Sequence, residues 1–166
     1  KASHYAKLVE GTDIKILDTR KTIPGLRTAQ KYAVNCGGCH NHRIGLFDAY
    51  LIKENHIVAC GGIREAVQTA RRNHPEKVIE VEAESIKELK QALETGADII
   101  MLDNFSNEML QRTSGVTKTA KYEISGNVQL DGIAALKAAD IDYISSGDLT
   151  KSCTAIDLSM RFILSS

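Results

Sequence analysis

Short apolar runs ending in a polar or charged residue recur along the chain, and a stretch of helical periodicity follows each. The runs span Ile14 to Asp18, Ala49 to Lys53, Val78 to Glu82, Asp98 to Asp103, Tyr122 to Ser125 and Asp142 to Ser146. Their shortness and their content of Val, Ile and Tyr predict buried strands. Between them, Ser85 to Glu94 carries Ile86, Leu89, Ala92 and Leu93 at helical spacing, and Gly96 stops it. Ser106 reads as an N-cap with Glu108 close behind, and Asp131 starts a short helix through Ala139. Lys1 to Glu10 reads as a helix already under way, closed by Gly11 with no start signal before it, so an upstream segment is expected to be absent from this chain. Strands alternating with helices imply a parallel sheet with right-handed crossovers. Six such units fit an open or closed β/α barrel better than a short doubly wound sheet.

The polar strand ends change the picture from fold to chemistry. In a β/α barrel the chemistry sits at the C-terminal ends of the strands. Here those ends supply Asp18 with Arg20 and Lys21, then Lys53, Glu82, Asp103, Ser125-Gly126 and Ser146-Gly147. Arg offers a bidentate fork to carboxylate or phosphate, and Lys a point charge. Arg20, Lys21, Arg43 and Lys53 at one rim would repel each other, by about 4 kcal/mol per pair at ~4 Å and an effective dielectric of 20. Such a cluster requires counter-charges or an anionic ligand. Glu82 and Asp103 offer some balance and also suit a hard cation such as Mg²⁺ held together with substrate phosphates. Ser125-Gly126-Asn127 and Ser146-Gly147 are Gly-containing turns after late strands, where backbone N–H groups bind phosphate.

Composition narrows the partners. Lys plus Arg and Asp plus Glu number 21 each in 166 residues, so no global field favours nucleic acid or an acidic membrane surface. Trp is absent, and five tyrosines with three phenylalanines make poor stacking platforms for single strands. No apolar run approaches the ~20 residues needed to span a bilayer. The four cysteines do not form a disulfide-scaffold pattern, so a reducing cytoplasm is the default expectation. The length allows one domain.

The segments at 16–22, 24–27, 31–38, 41–46, 51–57, 80–82, 96–104, 125–127 and 142–145 are similar, in order, to the family of quinolinate phosphoribosyltransferases. The resemblance implies that residues 1–166 form an incomplete, open α/β barrel of TIM-like parallel strands. This would be the C-terminal catalytic domain of a two-domain enzyme working as a homodimer or higher oligomer. It implies that Arg20, His42, Arg43 and Lys53 meet the carboxylates of quinolinate, with Lys21 between quinolinate and phosphoribosyl pyrophosphate. Glu82 and Asp103 would face the ribose and the Mg²⁺-pyrophosphate. Ser125, Gly126, Asn127, Gly147 and Lys151 would surround the 5′-phosphate. The implied reaction gives nicotinate mononucleotide, pyrophosphate and carbon dioxide.

Three features depart from that pattern. Cys36-Gly-Gly-Cys39-His40 reads on its face as a haem-attachment or dithiol motif, and inert thiols are the preferred reading. Asp148 puts a negative charge beside the phosphate loop unless it points away or pairs with Lys151. Residues 110–119 interrupt a helix at Ser114-Gly115. His4 and His74 read as exposed, His56 as a loop-orienting group, and Met101, Met109 and Met160 as core. The alternatives carried forward are a nicotinate phosphoribosyltransferase and a non-catalytic anion-binding barrel.

Overall fold

The computed structural model describes residues 1–126 and 140–163. The helix expected at 131–139 and the candidate residue Asn127 lie outside the described residues. Six strands form one parallel sheet: β1 (Lys15–Leu17), β2 (Ala49–Ile52), β3 (Val78–Ala83), β4 (Ile99–Asp103), β5 (Lys121–Ser125) and β6 (Tyr143–Ser145). The six apolar runs are these strands to within a residue at either end. The helices are α1 (Ala2–Leu8), α2 (Arg27–Cys36), α3 (Glu54–Cys60), α4 (Ile63–Asn73), α5 (Ile86–Leu93), α6 (Asn107–Thr113) and α7 (Asp148–Lys151). Ser106 caps α6 as expected and Ser85 caps α5, each side chain accepting from an amide three residues on.

The order across the sheet is β1-β6-β5-β4-β3-β2. This is the cyclic order of a β/α barrel, opened between β1 and β2. The break is partly covered by His40, which bridges β1 on the edge away from β6: its N–H donates to Ile16 at 2.8 Å and its carbonyl accepts from Asp18 at 3.0 Å. The expected open α/β barrel is the architecture observed.

Because side chains alternate across a strand, each strand has an outer and an inner set. Ile16, Ile52, Ile79, Val81, Ala83, Ile100, Leu102, Tyr122, Ile124 and Ile144 point outward into the apolar cluster beneath the helices. Burying each large aliphatic of this set stabilises the fold by about 1.5–3 kcal/mol. The inner set is of another kind: Leu17, Leu51, Glu80, Glu82, Met101, Asp103, Glu123, Ser125 and Ser145 line cavities enclosed by the sheet. Glu80, Glu82 and Glu123 are buried there. A core of this composition is excavated for a polar occupant, since buried carboxylates are costly without partners.

Candidate active site

The site begins with Asp18, and here the rim expectation needs correction. Asp18 is fully buried, not exposed at the barrel mouth. Its carboxylate pairs with Lys31 of α2, and it accepts from Asn41 Nδ2 at 2.6 Å and the His42 amide at 2.9 Å. Lys31 also donates to the His42 carbonyl at 2.9 Å. Strand β1 thereby holds the segment 40–43 across the open edge of the barrel, and that segment presents His42 and Arg43. Arg27 fastens the same region from α2, donating to the Ile44 carbonyl at 3.2 Å and the Arg20 carbonyl at 3.3 Å. Spacing gave no hint of Lys31 or Arg27 in this role, because their partners are backbone atoms and a distant strand.

At the C-terminal ends of the strands lies a cavity of about 470 Å³ lined by Thr19, Arg20, Lys21, His42, Arg43, Leu51, Lys53, Glu82, Met101, Asp103, Asn104, Ser125, Gly126 and Ser145. Nine of the candidate residues therefore share one wall: Arg20, Lys21, His42, Arg43, Lys53, Glu82, Asp103, Ser125 and Gly126. Gly147 and Lys151 do not line it but stand beside it. A side chain built at Gly147 would meet Lys21 at 3.5 Å and Lys151 at 3.6 Å, so the two lysines flank this glycine. Thr150 Oγ1 donates to the Lys21 carbonyl at 2.7 Å and ties α7 to the Arg20-Lys21 loop.

Gly126 is required by its surroundings. Its φ is +95°, and an added Cβ would come within 3.0 Å of the Asn104 backbone nitrogen. Asn104 itself adopts a φ of 53°, and its side-chain amide donates to Asp103 at 2.6 Å. Asp103 lines the cavity beside this close approach of the β4 and β5 ends.

Charge within the cavity is partly paired. Lys53 forms an ion pair with Glu82. His56, at the third position of α3, accepts from the Lys53 amide at 3.0 Å; it orients the loop, as expected. Burial pushes the Glu82 carboxyl above its ordinary range, Lys53 opposes that, and Asp103 nearby reinforces it. Burial lowers the Arg43 guanidinium, with Arg20 adding like-charge repulsion and Glu80 and Asp48 opposing. Arg20 Nε is buried without a hydrogen-bond partner among the described residues. Glu82 and Asp103 line one cavity beside lysines suited to phosphate, and their carboxylate oxygens are the donor type a hard divalent cation such as Mg²⁺ prefers.

Asp148 does not pair with Lys151. Its carboxylate pairs with Lys1 at 2.9 Å and accepts from Tyr5 Oη at 2.8 Å, which turns it onto α1 and holds its pKa below the usual carboxylate range. The Cys36-to-His40 segment is the turn that ends α2: Gly38 takes a φ of +87°, and His40 supplies the β1 bridge. All four cysteines are free. Burial pushes the Cys39 thiol up to about 11, which leaves it protonated and unreactive at neutral pH. Met101 is buried, but Met160 is exposed, so its expected place in the core is wrong. Residues 153–163 form no helix or strand for it to pack within.

The model for the C-terminal domain of quinolinate phosphoribosyl transferase matches residues 1–161. A probable nicotinate-nucleotide pyrophosphorylase [carboxylating] of Bacillus subtilis is 45% identical over 161 residues, covering 96% of this chain and 56% of that protein. The human nicotinate-nucleotide pyrophosphorylase [carboxylating] is 40% identical over 151 residues, covering 88% of this chain and 51% of the relative. The solved nicotinate-nucleotide pyrophosphorylase of Francisella tularensis is 50% identical and superposes with a TM-score of 0.87 over 95% of this chain and 56% of its own. This chain thus spans about half the length of the curated relatives it matches.

Proposed function

Because this chain belongs to the family of quinolinate phosphoribosyl transferase C-terminal domains, we propose that the protein transfers the phosphoribosyl group of phosphoribosyl pyrophosphate to quinolinate. The products are nicotinate mononucleotide, pyrophosphate and carbon dioxide, a step of NAD biosynthesis. The observation that carries this reading is the single cavity in which Arg20, Lys21, Arg43 and Lys53 face Glu82 and Asp103.

In this reading Arg20, Arg43 and Lys53 bind the two carboxylates of the pyridine diacid, and the unpartnered Arg20 Nε is a donor suited to one of them. Releasing Lys53 from Glu82 makes both groups available when substrates enter. Lys21 stands between the two substrates, and Lys151, Gly147, Ser125, Gly126 and Asn127 receive the 5′-phosphate. As the bond from C1 of the ribose to pyrophosphate breaks, positive charge develops on the sugar. The carboxylates of Glu82 and Asp103 stabilise it, while the cations stabilise the leaving group. Bound Mg²⁺ supplies further charge neutralisation of pyrophosphate. The pyridine nitrogen forms the new bond to C1 and becomes quaternary. Its positive charge then stabilises the electron pair left on the neighbouring ring carbon when the adjacent carboxylate departs as carbon dioxide, and that carbon takes a proton from water to complete the product. The arginines act mainly by holding nitrogen and ribose in line, and no protein nucleophile is needed.

By the same resemblance the protein acts in the cytoplasm as a homodimer or higher oligomer; no described helix is long and apolar enough to cross a membrane. The test incubates the protein in its full length with Mg²⁺, phosphoribosyl pyrophosphate and either quinolinate or nicotinate. Nicotinate mononucleotide and carbon dioxide from quinolinate alone are expected. Turnover of nicotinate would replace this reading with a nicotinate phosphoribosyltransferase. Calorimetric binding of quinolinate without pyrophosphate release would make the barrel a binding module.

A further inference from the structure

Glu80 and Glu123 lie below the substrate cavity inside the barrel, and the reaction described above leaves them unused. They project from β3 and β5 on the inner face, Glu80 in register with Ile99 of β4 and Glu123 with Met101. Both are buried, and neither oxygen of Glu123 nor Oε1 of Glu80 has a hydrogen-bond partner among the described residues. His42 stands between them and the cavity. Its Nε2 is 3.0 Å from Glu80 Oε2 and 3.5 Å from Glu123 Oε1, lying between the two carboxylates and aligned on neither.

The other ring nitrogen decides the tautomer. Nδ1 accepts the Arg43 amide N–H at 2.8 Å. An accepting ring nitrogen carries no proton, so the imidazole proton sits on Nε2, toward the carboxylates. Burial disfavours a charged ring, and the two carboxylates pull the proton affinity of His42 upward. A second proton at Nδ1 would, however, meet the Arg43 N–H head-on. The backbone contact therefore holds the ring in the Nε2–H tautomer. Both ring nitrogens therefore face groups of the protein itself, while the ring lines the cavity.

We propose that Glu80 and Glu123 are positioning residues for the diacid substrate: they flank the Nε2–H of His42, fix the rotation of its ring, and through Nδ1 and the Arg43 amide set the Arg43 guanidinium at the cavity wall. Arg43 Nη1 donates to the Ala49 carbonyl at 3.2 Å, so its backbone and its head are both anchored. Glu80, together with Asp48, also offsets the Arg20–Arg43 repulsion. The same three groups lie within 4.8 Å of one another, a spacing a divalent cation could use. The geometry speaks against that use: the Nε2 lone pair needed by a metal is taken by a proton that Nδ1 cannot receive.

This proposal rests on the quinolinate reading of the cavity, and its test separates the two. In the full-length protein, Glu80→Gln and Glu123→Gln each keep shape and remove charge. Each is expected to raise KM for quinolinate about tenfold, to leave KM for phosphoribosyl pyrophosphate within twofold, and not to lower Tm. Nitrogen-15 spectra of histidine-labelled wild-type protein are expected to show His42 protonated at Nε2 only, and the substituted proteins to lose that single tautomer. Unchanged quinolinate KM in both variants overturns the proposal, as does an equal rise in both KM values with a falling Tm. A wild-type His42 protonated at Nδ1 overturns it without recourse to activity. Stoichiometric Mn²⁺ binding abolished by Glu123→Gln overturns it in favour of a cation site. Absence of turnover in the wild type refutes the quinolinate reading instead, and the spectrum still decides the tautomer.

Discussion

Arg43 and Lys53 line the same cavity but are secured differently, the first by the Ala49 carbonyl and the second by Glu82. Charge-assisted contacts of this kind contribute about 1.5–3 kcal/mol each. Arg43→Ala and Lys53→Ala are therefore expected to weaken quinolinate binding by about 10–100-fold while Tm moves by only a few degrees. Calorimetry beside thermal melts checks this; normal binding with lost stability in both would refute the site. Glu80 offers a test in pH. Burial, reinforced by Glu123 and opposed by His42 and Arg43, pushes its carboxyl up to about 7. A folded pKa above the unfolded value of about 4.3 means that the native state binds the extra proton. Stability then falls as pH rises between those values. Glu80→Gln is expected to raise Tm relative to wild type at pH 8 and to leave it nearly unchanged at pH 4. At this scale the sequence exposed the cations and carboxylates at strand ends, because each follows an apolar run directly. Glu80 and Glu123 went unremarked because a Glu inside a Val-Ile run looks like the polar half of an alternating strand.

Elements depend on a few polar contacts that spacing announces unevenly. The Ser85 hydroxyl accepts from the Glu88 amide at 3.2 Å, and Ser85→Ala is expected to lower unfolding free energy by about 1 kcal/mol in denaturant melts. That cap was readable, since a Ser directly before a helical run with Glu in the first turn is a local pattern. The Asp18–Lys31 pair was not, since it joins β1 to α2. Both side chains are almost wholly buried, so removing one partner strands a charge. Asp18→Ala is expected to cost about 3–5 kcal/mol and to release the 40–43 segment, read as new proteolytic cleavage there. A milder loss with an intact 40–43 segment would show that other contacts hold the bridge. The dithiol-like pattern at 36–40 misleads for the same reason: its glycines serve a turn, and Cys39 is packed against α1, its Sγ 3.2 Å from the Ala2 carbonyl.

At the scale of the molecule, one sheet separates an apolar exterior, sealed by helices, from a charged interior. The last described stretch stands apart from both. Ile156, Leu158, Met160 and Phe162 alternate with smaller or polar residues and are 79–88% exposed. Nothing described packs on them, so they add apolar surface without stabilising the barrel. Ending the chain after Cys153 is expected to reduce binding of a hydrophobic dye markedly while Tm stays within about 2 °C, an experiment read by fluorescence and calorimetry. A large fall in Tm would show that the stretch belongs to the core, as the reading of Met160 from sequence had it.

The alternation of apolar runs and helices determined the parallel α/β architecture, because strand burial and helix amphipathicity are periodic and local. The ordered motifs likewise determined the family and the chemical types at the rim. Only the tertiary structure decided which charges meet: that Asp18 turns inward to Lys31, that Asp148 pairs with Lys1, that Lys53 rests on Glu82, and that Glu80 and Glu123 close on His42. Each of these contacts joins residues at least 13 positions apart. Electrostatic pairing depends on distance in space and on burial, and neither is written in the spacing of a chain whose strands return to one another through helices.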